Sequence, residues 1–223
     1  MRYLIGALLA VATFCGPAHA LEAAADTPKF LQPAYSQSLF FFAGRTSPTN
    51  LEDTAAFNLT RSRGTASYDN AIVGAAYQRD FLQIGRGVFL GGEIGIANRF
   101  GYYKVCCDPT VRTSDVIHSG ELWGGGSLRY EGITLFNALR VSPGFVGGLS
   151  AITNPIGQEA LHQKDGKSAR LLFYLGFETA FSLPEHPNAE VVLRLHHRSG
   201  AYGTLGGLKE GNNATVVGFR QRF

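Results

Sequence analysis

From residue 37 to the C-terminus, apolar and polar positions alternate with a period of two in one segment after another. Period two is the signature of a strand with two different faces. Eight such segments predict strands at 37–44, 70–81, 87–98, 116–130, 133–143, 167–181, 188–199 and 213–223. In the sixth, Leu171, Phe173, Leu175, Phe177 and Phe181 share one side, while Arg170, Leu172, Tyr174, Gly176 and Glu178 share the other. The eighth sets Val217, Phe219 and Phe223 against Gly218, Arg220 and Arg222. In the seventh, Val191, Leu193, Leu195, His197 and Ser199 oppose Val192, Arg194, His196 and Arg198, so an apolar face ends in an imidazole and a hydroxyl.

The connections alternate as well. "LQIGR", "EG" and "SLPEHP" are short, whereas 45–69, 99–115, 144–166 and 200–212 are long. Strict alternation of short and long links, with one apolar and one charged face per strand, predicts an all-β chain folded as an eight-stranded antiparallel transmembrane β-barrel with short periplasmic turns and longer outer loops. Glu93, Glu121, Arg129 and Arg140 take inward positions. The interior of an eight-stranded barrel is only wide enough for side chains, so these charges pair and fill it. Trp123 and the glycines at 124–126 read as barrel packing. A secreted β-sandwich alternates in the same manner and is the competing architecture; it would have to bury the apolar faces. Asn137 interrupts the apolar face of the fifth strand.

Composition sharpens the class. The 28 glycines and 12% aromatic residues suit a β-rich chain, and a net charge of +3 gives little support for nucleic acid as a partner. Residues 1–20 have a basic start, an apolar run and the small-x-small ending Ala18-His19-Ala20, the pattern of a cleaved signal peptide. The expected organisation is therefore a leader at 1–20, a periplasmic segment at 21–36 and an outer-membrane barrel at 37–223. Beyond the leader no apolar run approaches the roughly 20 residues of a spanning helix. Cys106 and Cys107 are adjacent in a loop, a poor arrangement for a structural staple and one without further metal ligands nearby. Asn58 and Asn213 head N-x-T sequons that a bacterial-type barrel has no reason to use.

With a periplasmic N-terminus, odd-numbered strands run outward. His197 and Ser199 then stand at the outer end of the seventh strand, on the lipid face, level with the outer leaflet. Residues two apart on a strand are separated by about 6.6 Å on one side, within hydrogen-bonding reach of each other's side chains. A serine beside a base is equipment for acyl transfer: histidine accepts the hydroxyl proton and serine attacks an ester carbonyl. The plainer account makes His197 an interfacial anchor and Ser199 the start of a loop. His196 and Arg198 face inward as pairing groups.

The stretches "LHHRSGAYG", "GGLKEGNN" and "VVGFRQRF" resemble the C-terminal part of the lipid A 3-O-deacylase family, PagL-type outer-membrane barrels, and "AAYQRDFL" and "LGGEIGIANRFG" are compatible with it. The close resemblance covers about the last 30 residues. It implies a serine esterase that hydrolyses the 3-position acyl ester of lipid A, with lipopolysaccharide as substrate, the outer membrane as location, neither metal nor cofactor, and a homodimer left open. It makes His197 the general base and Ser199 the nucleophile, with Glu210 as the nearest carboxylate for the third member and Asn212 or Asn213 available to an oxyanion. Two positions depart from the family: Gly200 stands where it has asparagine, and the spacing of its glutamate falls on Gly211 or Val216. Lys104, Arg112, Lys164 and Lys167 lie in or beside outer loops, where they would meet lipid A phosphates or simply form a charged rim. The alternative function is a non-catalytic small barrel of structural or adhesive kind.

Overall fold

A computed structural model describes residues 35–47, 51, 70–102, 116–156, 159–160, 167–209 and 211–223. The proposed leader, Cys106, Cys107, Lys104, Arg112, Lys164, Glu210 and the Asn58 sequon lie outside the described residues. The chain forms β1 (Gln37–Ser47), β2 (Ala71–Gly85), β3 (Val88–Tyr102), β4 (Val116–Tyr130), β5 (Ile133–Leu135), β6 (Leu139–Ile152), β7 (Leu171–Leu183), β8 (His186–Ser199) and β9 (Asn212–Arg222). All pairings are antiparallel. The ladders β1–β9 and β4–β6 close the sheet, giving an eight-stranded barrel with β5 as a short addition on β6.

Period two accounts for the two surfaces. On β3, Ile94 and Ile96 are exposed while Glu93 and Ala97 are buried; on β9, Val217 and Phe219 are exposed while Val216 and Arg220 are buried. The exterior is thus apolar and the interior charged, the inverse of a water-soluble domain and the pattern of a barrel that meets lipid. A sandwich is excluded by the closure of the sheet.

Three connected layers of charge fill the interior. Midway, Arg194 donates to both carboxylate oxygens of Glu93, at 2.7 and 2.6 Å, and to Glu178 at 2.6 Å, while Arg220 donates to the same Glu178 oxygen at 2.7 Å. Trp123 closes this layer by donating its indole N–H to Glu93 at 2.9 Å, and its ring lies over Gly95, where an added Cβ would come within 2.1 Å of it. Toward the end that carries the long connections, here the outer end, Arg99 and Arg198 share the carboxylate of Glu159, and His196 bonds Glu121 at 2.9 Å. Glu159 comes from the connection after β6 and is wholly buried. Toward the inner end Arg129 pairs with Asp80 at 2.6 Å, and Arg140 and Arg222 each meet Glu131 at 3.4 Å.

The fifth segment is where the expected layout is corrected. Residues 133–143 do not make one strand: β5 ends at Leu135, and the chain reverses through Phe136 and Asn137, both with positive φ (51° and 54°). Asparagine tolerates that conformation, so the residue that broke the apolar alternation marks a turn. The true strand, β6, begins at Leu139 and runs on to Ile152, well into what the sequence suggested was loop.

Candidate functional site

His197 and Ser199 occupy the last turn of the pleat at the outer end of β8, on its outward side. Across the ladders His197 stands opposite Leu175 of β7 and Asn213 of β9, and Ser199 stands opposite Phe173 of β7. The next strand round, β1, sets Ser47 opposite Asn213 and Arg45 opposite Thr215. Among the described residues, polar positions on the outward side of β8, β9 and β1 interrupt the apolar exterior at the outer end, as exposed Asn98 and His118 do on β3 and β4.

His197 is nevertheless buried, at 6% exposure, as is Asn213 at 5%. Their side chains meet: His197 Nδ1 lies 2.5 Å from Asn213 Oδ1. A carboxamide oxygen only accepts, so this contact requires the proton on Nδ1 and leaves the basic lone pair on Nε2. Ser199 Oγ accepts a hydrogen bond from the Ala201 amide at 3.1 Å, which leaves its own hydrogen to donate elsewhere.

The segment after Ser199 is folded tightly against the rim. Ala201 and Tyr202 take left-handed conformations (φ 46° and 58°), followed by Gly203. Leu205 N–H donates to Gly200 O at 3.0 Å and Gly203 N–H to Leu208 O at 2.9 Å, while buried Leu208 packs with Ala169 and Leu172. This explains Gly200: a Cβ there would lie 2.0 Å from Leu208 O, so asparagine at that position demands a different loop path.

The other residues singled out from the sequence separate by face. His196 and Arg198 point into the barrel, where His196 sits edge-on to Trp123 and Tyr174 and Arg198 donates to Ser150 Oγ at 2.9 Å. Asn212 falls on the inward side of β9, opposite Arg198, and so is removed from the outward patch. Asn213, considered only as an oxyanion donor, is the partner of His197. That pairing depends on cross-strand register, which alternation alone does not fix. Glu210 is outside the described residues. Lys167 is exposed beside the folded loop. Two residues that the sequence pattern passed over now stand out: Glu159, the buried counterion at the outer mouth, and Arg45 on the outward patch. Among the described residues no three His, Cys, Asp or Glu side chains are grouped to hold a metal ion.

No family model matches the chain. Over 106 residues it is 31% identical to mannose-6-phosphate isomerase of Rattus norvegicus, a match covering 47% of this chain and 25% of the isomerase. The chain spans about a quarter of the length of that curated relative. Among solved structures it is similar to the outer membrane enzyme PagL (TM-score 0.47, 12% identity, 83% of this chain and 99% of that one). It is also similar to the N-terminal β-barrel domain of Pseudomonas aeruginosa OprF (0.40, 12%, 88% and 100%) and to Ail, the attachment invasion locus protein of Yersinia pestis (0.33, 12%, 83% and 96%). None of these likenesses bears on the chemistry of the patch.

Proposed function

We propose that the chain is an outer-membrane esterase that removes an acyl chain from lipid A at the outer leaflet, with Ser199 as nucleophile, His197 as general base and Asn213 as the group that orients the base. The observation that carries this reading is the His197–Asn213 contact on the lipid-facing side, two residues from a serine on the same face. A buried imidazole whose Nδ1 meets a carboxamide, two residues from a serine on the same outward face, supports acyl transfer over plain anchoring. Serine–histidine–asparagine does the same work as the cysteine–histidine–asparagine set of papain-like proteases, where a neutral carboxamide holds the imidazole. The steps are ordinary for such a set. His197 Nε2 takes the Ser199 proton as Oγ attacks the ester carbonyl, the tetrahedral adduct expels the sugar hydroxyl with that proton, and water, deprotonated by the same nitrogen, releases the fatty acid and restores Ser199. The resemblance of "LHHRSGAYG" and "VVGFRQRF" to lipid A 3-O-deacylases supports the 3-position ester as the bond cut.

The test is purified barrel in detergent with lipid A, read by mass spectrometry. Loss of one 3-O-linked hydroxyacyl chain is expected, and Ser199→Ala and His197→Ala should each remove at least about a thousandfold of the rate while the heat-modifiable gel shift of a closed barrel is kept, because nucleophile and base act as a unit. Intact lipid A with wild type, or wild-type behaviour of Ser199→Ala, rejects the esterase.

A second reading, a non-catalytic barrel, has one observation in its favour. The Ser199 hydroxyl accepts from the amide two residues on, the bond by which serine commonly begins a turn.

A further inference from the structure

At its inner end the barrel wall is extended on one side. β3 begins at Val88, opposite Tyr130, and the β4–β6 ladder ends at the Arg129–Gly144 rung, yet beyond Glu131 and Gly132 the chain returns to β6 as β5 for three more rungs. Gly132 makes this possible: its φ is 98°, and a Cβ there would lie 2.4 Å from Ser142 Oγ. Ser142 Oγ donates to Glu131 O at 2.9 Å and Arg140 meets the Glu131 carboxylate at 3.4 Å, so the hairpin is tied to the wall it prolongs. Its two sides continue those of the barrel. Thr134 and Arg140 pair on the inward side, while Ile133 with Val141 and Leu135 with Leu139 pair on the outward side.

What covers the outward side follows from continuity with the lipid-facing band. Along β6 its positions are Leu149, Gly147, Phe145, Pro143, Val141 and Leu139, with no polar side chain among them. At about 3.3 Å per residue and a tilt of about 45°, that run rises roughly 24 Å, the height of the apolar band of such a barrel at about 25 Å. Leu139 thus marks the inner edge of the hydrocarbon, and the turn beyond it reaches the headgroups. Phe136 stands on that turn, 97% exposed and with φ at 51°, a conformation that is strained for a bulky residue and suits glycine or asparagine. A phenyl ring so placed gains its stabilisation from outside the chain. The boundary between acyl chains and headgroups is where membrane barrels carry their aromatic girdles.

We propose that the β5–β6 hairpin is a membrane anchor, with Ile133, Leu135 and Leu139 against the acyl chains of the inner leaflet and the Phe136 ring at the level of its headgroups. The anchor sets the depth of the barrel in the membrane and is independent of the esterase reading. The test uses the full barrel in phosphatidylcholine vesicles, with Phe136→Trp as the probe and the wild-type emission of Trp123 subtracted. When the acyl chains carry bromine close to the headgroup, the added emission should fall about twofold or more, as for a ring buried roughly 5–10 Å into the interface, and iodide in the water should have little effect. Thr134→Trp, on the other side of β5, should respond weakly to bromine. Phe136→Trp emission that iodide quenches and bromine spares overturns the anchor, and leaves the hairpin in water and open to a periplasmic protein. Equal quenching by bromine in the Thr134→Trp and Phe136→Trp variants overturns it as well, because the hairpin would then lack the two different sides on which the assignment rests. If Phe136→Trp loses the gel shift of a closed barrel, Leu135→Trp on the outward side gives the same readout.

Discussion

Asn213 determines which nitrogen of His197 carries the proton, and the consequence is measurable. If its carboxamide holds Nδ1–H, Asn213→Ala lets the ring turn and change tautomer, which should lower kcat by about ten- to a hundredfold with little change in KM; a buried triad aspartate changed to its amide, where the wrong tautomer is enforced, loses far more. Asn213→Asp keeps an acceptor in place and should recover most of the rate. Glu210→Ala should cost less than Asn213→Ala. A larger loss at Glu210 would transfer the orienting role to the carboxylate. The shared face of His197 and Ser199 was legible in the sequence because period two places residues 197 and 199 on one side whatever the strand's partners. The contact of His197 with Asn213 was not. Asn213 meets His197 only because β8 and β9 pair in one register, and alternation determines register no better than modulo two.

At the scale of elements, β8 is the strand on which the whole assignment turns. Its inward residues Arg194 and Arg198 are fully buried, whereas Val191 is 53% exposed. Leu193→Arg near the middle of the strand should destabilise the barrel by about 2–4 kcal/mol, and Leu195→Arg, one pleat nearer the outer rim, by less. Unfolding in urea from lipid vesicles measures both. Equal, negligible losses would mean that this face does not meet hydrocarbon, and His197 and Ser199 would lose their access to lipid with it. β4 was readable, its limits at 116 and 130 coinciding with the expected ones although its alternation is less clean than that of its neighbours. The elements were misread where a turn hid inside an apolar run. "ITLFNALRV" offers neither glycine nor proline, yet it reverses at Phe136 and Asn137, because two left-handed residues suffice to turn a hairpin. One strand was consequently set too early, and the connection beyond it was taken as loop where β6 continues to Ile152.

The molecule as a whole is held from within by paired charge. Asp80, Glu93, Glu121, Glu131, Glu159, Glu178 and Glu190 face Arg99, Arg129, Arg140, Arg194, Arg198, Arg220 and Arg222 across the interior. Such a lumen is a core rather than a channel, so removing one partner should act as it does in a core. Arg194 is the centre of the middle layer, bonded to Glu93 and Glu178 and lying over the Phe40 ring at 4.8 Å. Arg194→Ala leaves Glu93 buried with only the indole N–H of Trp123 among these bonds, and the loss should be about 3–5 kcal/mol, the penalty of an uncompensated buried charge. Replacing both partners, Arg194→Met with Glu93→Gln, removes the charge and keeps an acceptor for the indole, so it should recover most of that loss. Trp123 is the sole tryptophan of the chain, and its emission therefore reports this layer directly as urea unfolds the barrel. If Arg194→Ala proves neutral, water must reach Glu93 in place of the guanidinium. The interior would then be a wet lumen, and the same variant in a planar bilayer should pass current where the wild-type barrel passes none.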